Sequence, residues 1–331
     1  MTLPYILRLL LISSAILFLA HAIFGLAARL FSPAIIRFSR KFRPCVAARL
    51  LLFARLAPFG LASILVFGFC VPSYLWFEPG ATTERVGLAC ILAGCLGISL
   101  CSQSLFRAFR AVLITRKFTR SCLKSGRELL LSPESSSVLV VESQVPILAM
   151  AGVIRPRLVV SQGVLNSLSH DQLAAAVRHE RAHLTSADNL KRLFVTLSPE
   201  IFPFVHAFSS IEHAWKKISE WAADDSAVEN DTLRSLSLAS ALIRVAQLGA
   251  PPRLSPLCTA LVSSDSASAD SDLADRVDRL LHPARASANP AKRWANFAGC
   301  AAITMGLLVM IAASRPSTLH SVYQLLERLI H

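Results

Sequence analysis

Residues 155–190 read RPRLVVSQGVLNSLSHDQLAAAVRHERAHLTSADNL, and this stretch decides the fold. Arg157–Ser161 is short and β-branched, and reads as a strand. Ser169 and Gln172 have the S-x-x-Q spacing of a capping box, which marks a helix start. Leu173, Ala176, Val177 and Leu184 then follow with helical periodicity. His179, Glu180 and His183 fall in the middle of that helix, in the form H-E-x-x-H. Residues i and i+4 share a helix face, so both imidazoles can reach one metal ion. Glu180 lies about 100° around the helix from His179, where it can approach a water at the ion without ligating the ion itself. Two ligands and a nearby base are what a zinc hydrolase needs.

A catalytic zinc takes three protein ligands and a water. Further on, residues 219–228 read SEWAADDSAV, on a helix expected over residues 212–228. Glu220 completes a two-His, one-Glu set. Asp224 lies one turn on, on the same face, placed to accept the second N–H of a ligand histidine. Alone, Glu220 and Asp224 would read as a solvated acidic face; beside H-E-x-x-H the zinc reading prevails. Asp188, five residues after His183, reads either as a second partner of this kind or as a helix-ending residue. Arg181, at an x position of the motif, is compatible with it if it faces solvent.

Working outward, residues 137–143 (SVLVVES) read as a second strand. Gly152 and Pro156 punctuate the chain between the two strands. Residues 193–208 are apolar but broken by Pro199 and Pro203, and read as a buried or interfacial hairpin. Residues 263–275 are small and polar, and read as a loop or flexible segment. No internal repeat is visible.

The wider composition places this domain on a membrane. The chain has 331 residues, of which 53% are hydrophobic and 17% charged, against roughly 25% charged in soluble domains. Mean hydropathy is +0.52. Four runs are apolar for about 20 residues, the length that crosses a bilayer: residues 9–30, 56–77, 86–106 and 294–313. The first is too long, and lacks the cleavage pattern, for a signal peptide. The net charge is +13, and its Arg and Lys residues bracket the apolar runs. Arg37, Arg40, Lys41, Arg43 and Arg49 follow the first run. Arg107, Arg110, Arg116, Lys117, Arg120 and Lys124 follow the third, and Lys292 and Arg293 precede the fourth. The short connection between the second and third runs holds Glu78, Glu84 and Arg85. The positive-inside rule then puts both termini outside and the domain in the cytoplasm. This charge is not interleaved with aromatics on an exposed face, so no nucleic-acid partner is expected. The eight cysteines form no CxxC pair, which argues against a cysteine metal site or a disulfide framework. His21, inside the first run, is either a functional intramembrane group or a neutral packing residue.

The two quoted stretches together resemble the BlaR/MecR-type membrane metallopeptidases and, more distantly, the HtpX and CAAX-protease type. The resemblance covers residues 138–228 well, and the helix layout extends it over most of the chain. Three spans before the domain and one after it fit the BlaR/MecR plan. It implies an α-helical membrane protein carrying an α+β gluzincin-type metallopeptidase domain. Residues 1–106 would form a membrane domain of three helices, 107–293 the cytoplasmic zinc peptidase, and 294–331 the fourth helix with a short external tail. By the same resemblance His179, His183 and Glu220 bind Zn2+ and Glu180 is the general base. Family sensors carry an external penicillin-binding domain after the last helix. Residues 314–331 are too few for one, which counts against direct β-lactam sensing.

The expected activity is endopeptidase cleavage in signalling or regulated proteolysis, of a protein or peptide substrate such as a transcriptional repressor. Arg276 is the first candidate to stabilise the transition state, since it resembles an arginine segment late in related proteases. His206, His213 and His282 are weaker candidates, each otherwise a surface or packing residue. By fold analogy, residues 158–160 could pair with an extended substrate at a sheet edge. Two other readings are a non-catalytic sensor or scaffold keeping the metal site, and a transporter or channel. An intact Glu180 favours the peptidase over the scaffold, and the scarcity of charge within the spans disfavours the transporter. Oligomeric state stays open.

Overall fold

The computed structural model describes residues 4–78, 86–129, 138–143, 145–154, 156–200, 208–249, 255–262, 269–282 and 315–330. In hydrocarbon every backbone polar group needs an internal partner, which apolar segments meet by forming helices. Accordingly α1 (Tyr5–Ser39), α2 (Pro44–Leu65) and α4 (Leu88–Ser125) are long and continuous. A π-helical turn, Val66–Cys70, joins α2 to α3 (Val71–Phe77). Pro72 lacks the N–H that would bond the carbonyl of Gly68, and a π turn accommodates that loss. Three stretches, Tyr5–Ser39, Pro44–Phe77 and Leu88–Ser125, are long and apolar enough to cross a membrane. They contain the first three expected runs almost entirely. The fourth, residues 294–313, lies outside the described residues.

These helices outrun the bilayer. α4 has 38 residues, about 57 Å against a hydrocarbon core of about 30 Å. There is no break at residue 106: α4 runs on into the domain, where Phe118 and Cys122 pack under the sheet. At its other end, Cys90 lies with Ile12, Cys70 and Tyr74 beside Leu326 of the last described helix, α11 (Pro316–Ile330). α11 and the sheet therefore sit at opposite ends of the bundle. Two glycines set the spacing of α1 and α4. A Cβ on Gly94 would come 2.7 Å from the Leu11 carbonyl oxygen, and one on Gly97 would come closer still to that of Ser14. Only glycine permits so close an approach of two backbones.

The sheet has five described strands: β1 (Arg127–Leu129), β2 (Val138–Val141), β3 (Leu148–Ala151), β4 (Arg157–Ser161) and β5 (Cys258–Ala260), in the order β1-β2-β4-β3-β5. β2 and β4 run parallel, and the other pairs antiparallel. This corrects one expectation. Residues 158–160 form no free edge, because β2 and β3 flank β4 on its two sides and take up its backbone groups. Among the described residues the edges are β1 and β5. One face of the sheet packs on α4. The other packs beneath α6 (His170–Thr185) and α9 (Thr232–Gln247), through Val138, Val140, Leu148, Met150, Leu158 and Val160.

After β4 come α5 (Gln162–Ser167), then α6, which opens with the expected reciprocal capping box of Ser169 and Gln172. Ala187 takes a left-handed conformation (φ 54°) and turns the chain into α7 (Asp188–Leu197). Residues 193–197 thus belong to a helix; residues 201–207 of the expected hairpin lie outside the described residues. α8 (Ser209–Val228) lies across α2, with Ile211, Trp215 and Ile218 against Ala47, Ala48 and Leu51. The segment read as a loop also needs correction, since α10 (Ala269–Leu281) begins inside it. Leu273, Val277 and Leu280 recur at helical spacing and pack on the core, and Asp270 and Asp272 suit the first turn of a helix.

Two outcomes test this architecture. Replacing Gly97 with valine should force α1 from α4 and lower stability in detergent by about 1–3 kcal/mol, read as a fall in the thermal unfolding midpoint. Replacing Ser169 with alanine should cost about 1 kcal/mol through loss of the α6 cap, with the fold retained by circular dichroism.

Candidate metal centre

α6 presents His179 and His183 from one face, and α8 crosses it carrying Glu220. His179 Nε2 lies 3.1 Å from His183 Nε2, and Glu220 Oε2 lies 3.4 and 3.5 Å from those two nitrogens. Ligands held at 2.0–2.1 Å around a tetrahedral ion stand about 3.3 Å apart. The three atoms therefore form one face of a small tetrahedral site, and they are the described group able to hold a metal. Among the described residues Glu220 Oε2 makes no hydrogen bond, and its near neighbours are the two histidine nitrogens and Arg276 Nη1.

The outward ring nitrogens face carboxylates. His183 Nδ1 lies 2.7 Å from Asp188 Oδ2, and His179 Nδ1 lies 2.9 Å from Asp224 Oδ1. A carboxylate on one nitrogen leaves the other turned to the ion. Of the two sequence readings of Asp188, the structure favours the partner of His183: it pairs with that ring and opens α7, rather than ending α6. Lys191 Nζ, 2.7 Å from Asp188 Oδ1, balances its charge.

Arg276 reaches in from α10. Its Nε and Nη2 donate to Asp224 Oδ2 and Oδ1 at 2.9 and 2.7 Å, and Nη1 donates to the Leu261 carbonyl at 2.9 Å. Nη1 also lies 3.3 Å from Glu220 Oε2. Most of its fork is thus engaged with Asp224 and the end of the β5 segment. His213 is paired at 3.8 Å with Asp272, and the exposed His282 is paired with Asp278; the geometry brings neither into the site. His206 lies outside the described residues. Arg181 is exposed, so the motif accommodates it.

Glu180 is fully buried. Its Oε2 accepts from Met150 N of β3 at 3.1 Å, while Oε1 has no partner among the described residues. Asn189 Nδ2 bonds the Met150 and Gly152 carbonyls at 3.1 and 2.7 Å, tying β3 to α7. Neither Met150 nor Asn189 was legible as a site residue, because their contacts with α6 and β3 span 30 or more positions of sequence.

Electrostatics follow from burial and pairing. Burial pushes the Glu180 carboxyl up to about 7, against the opposing pull of His183 and His179. Burial also works against charge on Asp224, yet the Arg276 guanidinium and the His179 ring hold it down at about 2. Glu220, despite its burial, is held well below the usual carboxylate range by His183, His179 and Arg276. Burial opposes charge on His183 too, but Glu220 and Asp188 raise it to about 10, so a cation entering here would displace a proton. Glu220, Asp188 and Asp224 thus favour positive charge among His179, His183 and Glu220, the group that could hold a metal.

Comparison with known proteins gives one result. A family model described as BlaR1 peptidase M56 matches residues 86–279. No curated protein and no solved structure gives a significant match. The matched stretch runs from the start of α4 into α10. It takes in all five described strands, the His179, His183 and Glu220 group that could hold a metal, and the carboxylates beside it. On that match, which spans more than half of the sequence, the chain belongs to the BlaR1 peptidase M56 family, and is a membrane metallopeptidase.

Proposed function

We propose that this protein is a zinc endopeptidase acting at the cytoplasmic face of the membrane, with His179, His183 and Glu220 as ligands and Glu180 as general base. The observation that carries the reading is the ligand triangle, 3.1–3.5 Å on edge, with the unpartnered Oε1 of buried Glu180 one residue from the first ligand. A zinc ion there would polarise a scissile carbonyl and acidify a water. Glu180, with a carboxyl that titrates near neutrality, is suited to take the proton of an attacking water and deliver it to the leaving amine. Met150 N fixes one carboxylate oxygen and leaves the other for this exchange. Asp188 and Asp224 keep the two imidazoles aimed inward. Arg276, considered above for the transition state, has its fork committed to Asp224. Its charge beside Glu220 supports a role in holding the ligand set and adding positive potential to the centre.

The basic loops support the cytoplasmic side. So does α11. Its position at the end of the bundle away from the sheet supports reading residues 294–313 as a fourth crossing, with both termini opposite the domain. A transcriptional repressor is the substrate that the family resemblance suggests, and the role would then be signalling. A scaffold keeping its metal would have no use for Glu180, which is why the catalytic reading is preferred.

The full chain in detergent should bind zinc stoichiometrically and cleave an unfolded reporter protein. Glu180→Ala should keep the zinc and lose cleavage by about 10²–10⁴-fold. A chelator should abolish cleavage, and added zinc should restore it. Asp188→Asn should weaken zinc binding by about 10–100-fold. Wild-type protein that takes up no zinc on reconstitution would sink the reading. Zinc bound without cleavage by either wild type or Glu180→Ala would favour the scaffold.

A further inference from the structure

A buried cation in the membrane part reaches both helices that shape the metal centre. Arg55 lies on α2, and its side chain is only 2% exposed. A cation at such a place is costly unless it is paired. Its Nε donates to Glu212 Oε1 at 2.6 Å, in the first turn of α8. Nη1 donates to Ser198 Oγ at 2.9 Å. Nη2 donates to Glu200 Oε1 at 3.1 Å and faces the Ser198 and Val195 carbonyl oxygens at 3.4 and 3.5 Å. The Phe208 ring lies 4.4 Å from the guanidinium carbon. Val195 and Ser198 belong to the C-terminal end of α7, where carbonyls lack intrahelical partners and a cation complements the helix dipole. From α1, His21 Nε2 adds a contact to the Pro199 carbonyl at 3.2 Å.

The two helices that meet at Arg55 both reach the centre, where Arg192 of α7 also lies 4.0 Å from Glu220 Oε1. α7 starts at Asp188, which orients His183. α8 carries Glu220 about 12 Å beyond Glu212. We propose that Arg55 is a positioning residue for the metal centre: by fastening the end of α7 to the start of α8, it sets the Asp188–His183 pair against Glu220 and makes ligand geometry answer to the membrane helix α2. The inference rests on the metal-centre reading above. It gives a movement of α2 in the bilayer a physical route to the ligands, through one forked side chain and two short rigid helices.

The test uses the full chain in detergent with Co2+ as the probe, read by its visible absorption bands and by titrated affinity, beside thermal unfolding. Arg55→Lys keeps the charge but loses the planar fork. Glu212→Gln keeps the shape and removes one charge, at a partly exposed position. Arg55→Lys should bind Co2+ about 10-fold more weakly, with altered bands. Glu212→Gln should shift both readouts in the same direction by a smaller factor, with its unfolding midpoint close to that of wild type. Wild-type bands and affinity in both variants would overturn the proposal. Glu220→Gln, run in parallel, separates the two claims. If it too binds Co2+ as wild type does, the metal-centre reading falls; if it loses Co2+ while the Arg55 and Glu212 variants do not, only the positioning role falls.

Discussion

Burying a cluster of ionisable side chains demands that every charge meet a partner, and that demand organises the site end of this molecule. His179, His183 and Glu180 are buried, and the partly exposed Glu220 converges on them. An unpaired charge there would be prohibitively costly. The chain answers with Asp188 and Asp224 on the imidazoles, Arg276 on Asp224 and Lys191 on Asp188. The partners come from α7, α8 and α10, so pairing the charges also fixes how these helices are placed against α6. The electrostatics and the fold are one constraint here.

The sheet and α6 supply the rigid frame. β2 and β4 are buried throughout or nearly so, and their side chains hold α6 and α9 on one face while α4 closes the other. Glu180 is tied into this frame through the Met150 backbone, and Asn189 ties the same strand to α7. One carboxylate oxygen is held and the other has no partner among the described residues, which suits the base proposed above. Its raised pKa follows from the same burial.

α8 belongs to both halves of the protein. One side of it packs on α2 through Ile211, Trp215 and Ile218; another carries Glu220 into the centre. The membrane helices are themselves set at close spacing where Gly94 and Gly97 of α4 meet the α1 backbone. The peptidase fold is thus built onto the membrane helices with no flexible linker at the junction with α4, and Glu220, the proposed third ligand, stands on a helix that the bilayer part helps to hold. At the opposite end, Arg8 and Tyr323 converge on Glu78, so that α11 is fastened there by a polar contact as well as by Leu326.

The sequence by itself determined whatever depends on local spacing. The capped helix, the i, i+4 histidines, Glu180 beside them, the β4 strand and three apolar runs were all legible, because helix periodicity and capping act over a few residues. Glu220 and Asp224 were legible as a pair because one turn separates them. Tertiary structure decided what depends on distant segments meeting. It put β4 at the centre of the sheet, since strand order follows from which β-branched runs bury one another. It made a helix of residues 269–281, whose sparse Leu273, Val277 and Leu280 gain by burial only once α9 is in place. It joined Arg276 to Asp224 across 52 positions and Arg55 to Glu212 across 157. Such charges seek partners through space, and no local pattern along the chain records which one they find.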